Sequence, residues 1–408
     1  MINFKKYRIG DLVSIRRGAS PRPIEQWISP TGVPWVKISD ATLNDSKYIY
    51  NTAEFIKKDG KTKSVEVFPE DLIISNSATP ALPRIMKINA CVHDGWLIPY
   101  NYKGITRDYL YYAIKYYRKF LLNQGNGSIF KNLKTDILKD FEINIPVNNV
   151  GEPDLDMQKK IIDPILKIDE QIENNLKIIK INNKMLDVIY NYFFNNCLTD
   201  SSKIATWKKI KINDVIIQIK TGLNPRDNFK FNENNKIKYI TVKNLTEHGY
   251  LDMSSYDKID EKAKKTIHDR SDIQKGDILF ASIAPLGRCY MINEEPNDWD
   301  INESVFSIRV NNDILPTEYV YFYLKSEQFV KKAENNSTGS IFSGIRINTL
   351  LDMEILIPDK NTLSQYMDYI KPILKINNEK GKEIILLKEI RDFMLPLIMN
   401  NQIKTEDV

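Results

Sequence analysis

Gly127-Ser128-Ile129-Phe130 opens a stretch that runs to Ile145-Pro146, and Gly339-Ser340-Ile341-Phe342 opens one that runs to Ile357-Pro358. The two align position for position, without a gap. A match of that length marks a whole domain copied once, and not a short unit stacked many times as in a solenoid. Two similar domains on one chain imply a ligand with two similar parts.

Working outward, each half opens alike. Ile9-Gly10-Asp11-Leu12 leads to Gly18-Ala19-Ser20-Pro21-Arg22, and Ile212-Asn213-Asp214-Val215 leads to Gly222-Leu223-Asn224-Pro225-Arg226. Pro34 to Asp40 and Lys238 to Asn244 are alternating, β-branched or aromatic stretches that read as strands. Val67 to Ile74 matches Ile273 to Phe280, a turn followed by a buried strand. Tyr109 to Lys115 matches Tyr319 to Lys325, a short helix whose aromatic spacing is that of core packing more than of a stacking platform for bases. Each strand-rich α+β domain ends at a proline, Pro146 or Pro358, which gives globular limits of 1–150 and 205–360.

The segment after each domain differs in kind. From about Met157 there is no strand signal and no glycine, and Pro164 lies near the start. Ile165, Ile172, Ile179, Leu186 and Phe193 recur every seven residues, a seam that predicts a long coiled-coil helix over 151–204. In 361–408 the pattern returns, with Leu387 and Met394 on one stripe, Ile390 and Leu397 on the other, and a stop near Pro396. Asn175, Asn182, Lys380 and Glu383 interrupt the seams. They either fix register or face solvent where the helices splay. Gly381 in a helix interior costs about 1 kcal/mol. The expectation is two similar domains alternating with two long helices that pack as an antiparallel coiled coil, with pseudo-two-fold symmetry. Some thirty helical residues span roughly 45 Å, close to the ~34–36 Å of one DNA turn. On this reading the helix is a ruler.

Hydrophobic content of 42% and charged content of 27% are ordinary for globular proteins. No apolar run approaches a membrane span and the N-terminus is no secretory signal. Cys91, Cys197 and Cys289 form neither a disulfide frame nor a zinc knuckle, which points to the cytoplasm. The net charge of +5 is uneven: residues 1–204 carry +6 and the remainder −1. Charge of that size permits nucleic-acid binding without demanding it.

The order domain, helix, domain, helix resembles the specificity subunit of type I restriction-modification systems. So do the phrases Gly276-Asp277-Ile278-Leu279-Phe280 and Gly287-Arg288, and the terminal run from Ile390-Arg391-Asp392-Phe393 to Asn400. The likeness covers nearly the whole chain. It implies two target recognition domains that each read half of a bipartite double-stranded DNA target. It also implies spacer helices that dock methylation subunits (two of them), and restriction subunits in the full complex. In that family a glycine often precedes the Asp of the turn-strand motif, whereas the first copy here has Glu70-Asp71. Ser75 to Ala81 also departs from Ala281 to Gly287, which implies that the two half-sites differ.

No dinucleotide Gly-x-Gly-x-x-Gly loop and no P-loop is present, so no cofactor is expected. The Asn-Pro-Pro-aromatic tetrapeptide of amino-methyltransferases is missing too, Asn224-Pro225-Arg226 being the nearest fragment. Asp59-Gly60-Lys61 and Asp260-Glu261-Lys262 mimic the end of a nuclease motif but lack an upstream Pro-Asp pair, and read as solvated turns. His93, His248 and His268 offer no metal spacing. Methyl transfer and cleavage are expected from partner chains.

For DNA reading, Arg22 and Arg226 follow a glycine in matching loops, where arginine can reach guanine with two hydrogen bonds. Arg84 and Arg288 follow Pro-bearing loops. Lys131, Lys134 and Arg346 follow the Gly-Ser-Ile-Phe turns, and Lys37, Lys243 and Asn244 end the aromatic strands. Any one of these alone is explained as an ordinary exposed cation; their recurrence at matching places favours a shared task. Arg22 with Arg226 ranks first and Lys134 with Arg346 second. Three alternatives stay open: a specificity partner of another bipartite restriction system, a self-contained DNA methyltransferase, and a coiled-coil scaffold.

Overall fold

The stretches around Trp35 and Tyr239 form the strands Val33–Val36 and Ile237–Ile240. Both end sooner than the alternation predicts, giving way to a helix at Ile38–Thr42 and a 3-10 turn at Val242–Asn244. The reason is local. The Asp40 carboxylate accepts the amides of Lys37 and Ala53 at 2.7 and 3.1 Å, and the Asn244 side chain accepts that of Thr241 at 2.9 Å. Such side-chain bonds compete with a sheet ladder. The computed structural model describes residues 2–42, 46–123, 132–194, 207–226, 228–335, 344–400 and 402, so both Gly-Ser-Ile-Phe segments and Lys131 lie outside the described residues.

The chain forms two compact units, 1–173 with 389–408, and 174–388. In the first, strands Ser14–Arg17, Trp96–Tyr100, Leu72–Ser75 and Pro83–Met86 lie side by side in that order, with Tyr48–Ile49 at the edge. In the second, Ile216–Thr221, Val305–Val310, Ile278–Ala281 and Cys289–Met291 repeat that order. A second sheet repeats as well. Val33–Val36 lies between antiparallel Glu54–Ile56 and parallel Ala90–Val92, as Ile237–Ile240 lies between antiparallel Asp257–Ile259 and parallel Trp299–Ile301. The copies also share an antiparallel pair, Asn3–Arg8 with Glu142–Val147 and Lys208–Lys211 with Glu354–Ile357. The repeat in sequence is thus a repeat in topology.

The turn-strand motif shows why its residues recur. Asp71 accepts the amide of Phe68 at 2.8 Å and Asp277 that of Gln274 at 3.1 Å, closing each turn. The preceding residue has a left-handed backbone in both, at φ +75° for Glu70 and +93° for Gly276. Every residue of the strand that comes next is buried in each copy. The aromatic helices are Arg107–Leu122, capped by the Thr106 hydroxyl, and Thr317–Lys325; Tyr109, Tyr112 and Tyr319 are buried in the cores.

Leu155–Phe194 and Lys360–Met399 are single helices of 40 residues each, and the second runs through Pro396 instead of stopping there. Ile165, Ile172, Ile179, Leu186 and Phe193 are all buried. Within the second unit, Asn182 donates to Asn377 at 2.8 Å and Phe193 packs on Tyr366 at 5.7 Å between ring centroids, so the two helices run in opposite directions there. Asn182 therefore bridges the helices, while Lys380 and Glu383 pair with each other at 2.7 Å. The second helix corrects the sequence reading. In its C-terminal half the buried positions are Gly381, Ile384, Lys388, Arg391, Leu395, Ile398 and Met399, the first six about one residue out of step with the expected stripe, and Ile390 is exposed. Lys388 pairs with Asp252 at 2.9 Å, and Arg391 with Asp169 at 3.1 Å, where Asp169 also accepts the Tyr112 hydroxyl at 2.5 Å. Gly381 sits where a Cβ would be 2.8 Å from that of Tyr250, so close packing against the domain accounts for a glycine in mid-helix.

Candidate nucleic-acid interface

In each unit a set of loops gathers at one end of the sheet that contains Trp96–Tyr100 or Val305–Val310, and hydrogen bonds tie one loop to the next. In the first, a Cβ on Gly18 would stand 2.0 Å from the His93 carbonyl oxygen, so only glycine lets the Arg22 loop pass. The Gly18 amide donates to Trp96 O at 2.8 Å. Asp94 collects this edge. Its carboxylate accepts the Ser20 hydroxyl at 2.6 Å and the Arg22 guanidinium at 3.5 Å, and its carbonyl accepts Arg17 Nε at 2.7 Å and Asn76 Nδ2 at 2.9 Å. The Ser20 hydroxyl above all, then the backbone amide of Asp94 itself and Arg22, hold the Asp94 carboxyl below the usual carboxylate range. Asn76 O in turn accepts the amide of Leu133 at 2.6 Å, which brings the segment bearing Lys134 onto the same edge. His93, beneath this loop, is driven by burial toward the neutral form, with Nδ1 accepting the Gly95 amide at 2.8 Å.

The second unit rebuilds the edge with other residues. A Cβ on Gly222 would stand 1.7 Å from Ile301 O, and its amide donates to Asn302 O at 3.2 Å. Ser282 takes the place of Asn76: its hydroxyl donates to Ser304 O at 2.8 Å, and its carbonyl accepts the amide of Ile345 at 2.8 Å. Arg346 is the residue before helix Ile347–Leu351, as Lys134 precedes helix Thr135–Asp140. Arg22, Lys134, Arg226 and Arg346 are all exposed. Each copy therefore presents an arginine on the glycine loop and a cation at the start of a short helix.

The remaining candidates scatter. Arg84 is in strand Pro83–Met86 and not in a loop; it is buried, with Nε and Nη2 on Ala41 O at 3.0 and 2.7 Å and Nη1 on Pro83 O at 3.1 Å. Asn244 is buried too, its amide donating to Asp252 O at 2.8 Å and Ser255 O at 2.9 Å. Both side chains are buried and hydrogen-bonded within the fold, a place that does not fit the DNA contact expected of them. Lys37 lies past its strand and pairs with Glu54. Arg288 is half-buried and donates to Leu245 O at 3.3 Å, while Lys243 is exposed on its turn. Sequence reasoning missed Arg17, exposed and donating to Asp94 O on this edge, whose cue is its position just before Gly18. Among the described residues no group of three or more His, Cys, Asp or Glu side chains is arranged to hold a metal ion, and no helix is long and apolar enough to cross a membrane.

The family described as "Type I restriction modification DNA specificity domain" matches residues 1–183 and again 204–388. The chain belongs to that family. The doubled match coincides with the doubled topology. Among curated relatives, the type I restriction enzyme MjaIX specificity subunit of Methanocaldococcus jannaschii is 24% identical over 98% of this chain and 94% of its own length. The HindI specificity subunit of Haemophilus influenzae is 25% identical over 42% of this chain and 36% of its own. The crystal structure of the type I restriction-modification S subunit from M. genitalium shares the fold, with a TM-score of 0.51, 15% identity and coverage of 97% of this chain and 96% of that one. Members of this specificity family recognise DNA sequence, and a doubled specificity domain fits a target in two parts.

Proposed function

We propose that this chain is the non-catalytic DNA-recognition subunit of a type I restriction-modification complex. Residues 1–150 and 205–360 each read one half of a bipartite duplex target. Residues 151–204 and 361–408 are spacer helices that pair as an antiparallel coiled coil about a pseudo-two-fold axis, set the spacing of the half-sites and dock two methylation subunits, to which restriction subunits add. The observation that carries this reading is the matched loop edge: Arg22 with Lys134 in one copy, Arg226 with Arg346 in the other, on the same scaffold. Guanidinium groups serve there for guanine edges and phosphates, and the exchange of Lys134 for Arg346 at the matching exposed position accords with differing half-sites.

The docking role draws support from the long helices. Ile178, Ile181, Met185, Val188 and Tyr192 recur every three or four residues and are exposed beside the buried seam. A second apolar stripe at heptad spacing is a surface for another helix. The work belongs to a cytoplasmic assembly and needs no cofactor bound by this chain.

Methylome sequencing of cells expressing the chain with its methylation subunit tests the reading. A bipartite methylated motif with an undefined spacer is the expected result. A continuous motif, or none with the assembly intact, would overturn it.

A further inference from the structure

Two stretches that the sequence offered as nuclease mimics occupy one place in the two copies. Asp59-Gly60-Lys61 lies in a 3-10 helix, Lys58–Lys63, that comes after the strand Glu54–Ile56. Asp260-Glu261-Lys262 opens an α-helix, Glu261–Ser271, that comes after the equivalent strand Asp257–Ile259, each strand being antiparallel to its copy's Val33–Val36 or Ile237–Ile240. Neither has partners for hydrolysis. What they share is charge. The first exposes Lys57, Lys58, Lys61 and Lys63, and the second exposes Lys262, Lys265 and Arg270.

Both are tied directly to the arginine loop of their own copy. The Ser64 hydroxyl, just past the first helix, donates to Ala19 O at 2.8 Å, inside the loop that carries Arg22. Arg270, in the last turn of the second, donates to the Thr221 hydroxyl at 3.3 Å, one residue before Gly222. Lys63 is further held over the Trp27 ring at 4.5 Å and Lys61 on Glu66 at 2.7 Å, which limits how far these cations wander. The two helices differ in type, length and sequence, yet each extends the positive edge of its loop in the same topological position.

We propose that these two lysine-bearing helices are phosphate-binding surfaces that grip the DNA backbone beside each half-site. The inference rests on the DNA-recognition reading above and adds a division of labour to it. Loop arginines read bases, and the helices supply affinity that does not depend on sequence.

The test uses the full chain assembled with its methylation subunits and a random-sequence duplex, since phosphate binding needs no target. Lys57→Gln/Lys58→Gln/Lys63→Gln should lower the slope of log affinity against log salt by about 3, and Lys262→Gln/Lys265→Gln by about 2, near one unit for each phosphate no longer neutralised. The methylated motif should stay as in the parent, and melting curves should match it. A control, Lys5→Gln/Lys6→Gln/Arg8→Gln on the strand paired with Glu142–Val147, removes as many charges away from the loops and should leave the slope unchanged. Unchanged slopes in both helix variants, or an equal drop in the control, would overturn the proposal. A parent complex whose binding has no salt dependence would overturn the DNA reading itself, and the proposal with it.

Discussion

At the scale of the residue, the duplicated turn separates two reasons for a glycine. Gly276 has a left-handed backbone at φ +93° with no atom within 4 Å of the place its Cβ would take. Its replacement by alanine therefore costs only the backbone term, about 1 kcal/mol. Gly222 has ordinary room in φ but none in space, because a Cβ would stand 1.7 Å from Ile301 O. Gly222→Ala must push strand Trp299–Ile301 away, and about 3 kcal/mol or more is expected, in the range of strained core substitutions. Urea unfolding of the two variants checks the order; an equal cost would show that the strand yields freely. Glu70 sits at the strained position of the first copy, where its carboxylate pairs with Lys87 and Arg107 at 2.5 Å each, ion pairs that offset the strain. A second consequence concerns acid. The side chains of Gln218 first, then Lys220 and Arg309, hold the Asp272 carboxyl down from 3.8 to about 2. A depressed carboxylate stabilises the fold above its unfolded value, and that contribution is lost as pH falls through the folded one. The parent should thus lose more stability than Asp272→Asn between pH 3.8 and about 2, as read by thermal melts. Equal losses would mean that solvent screens this half-exposed cluster.

At the scale of the element, the first long helix has two apolar stripes, one buried and one exposed, to which the proposed function gives opposite roles. Leu186 lies in the buried seam, and cutting it to alanine should cost about 2–5 kcal/mol of stability. Val188 is 68% exposed, so Val188→Asp should leave melting unchanged while abolishing co-purification with the methylation subunit. Retained assembly would remove this stripe from the docking surface. The same helices show what the sequence made legible. The first seam is readable because one heptad position, Ile165, Ile172, Ile179, Leu186 and Phe193, is apolar throughout, so the period of seven stands out even with Gln158, Asp169, Glu173 and Asn175 buried on the same helix. The second seam is not, because Gly381, Lys388 and Arg391 occupy buried positions and draw their support from Tyr250, Asp252 and Asp169, residues distant in sequence. Hydrophobic periodicity cannot register a buried cation whose partner lies elsewhere. Arg84 and Asn244 escape a sequence reading for a related reason: a polar residue beside a loop looks the same in sequence whether it faces solvent or caps backbone carbonyls inside. Arg22 and Arg226 are exposed on loops that Gly18 and Gly222 let pass close against a neighbouring strand, and Lys134 and Arg346 are exposed at the residue before a short helix.

At the scale of the whole molecule, duplication is the fact from which function is derived. One strand order stands in both copies while the loop residues diverge, so scaffold and specificity are separable by residue. Exchanging residues 1–150 for the matching domain of another family member should therefore change one half of the methylated motif and leave the other. The helices carry the complementary test. Each is one unbroken element with residues in both units, and on the proposed reading its length sets the spacing of the two half-sites. Removing one heptad from the first helix takes out roughly 10 Å of rise at 1.5 Å per residue, about three base pairs of DNA at about 3.4 Å each. Seven residues restore the seam to register, so the variant should still fold. Its motif should keep both half-sites with a spacer about three base pairs shorter, or methylation should vanish where the rotated half-sites can no longer be reached together. A half-site altered by that deletion would show that the helix shapes recognition itself, and the spacing role would have to be abandoned.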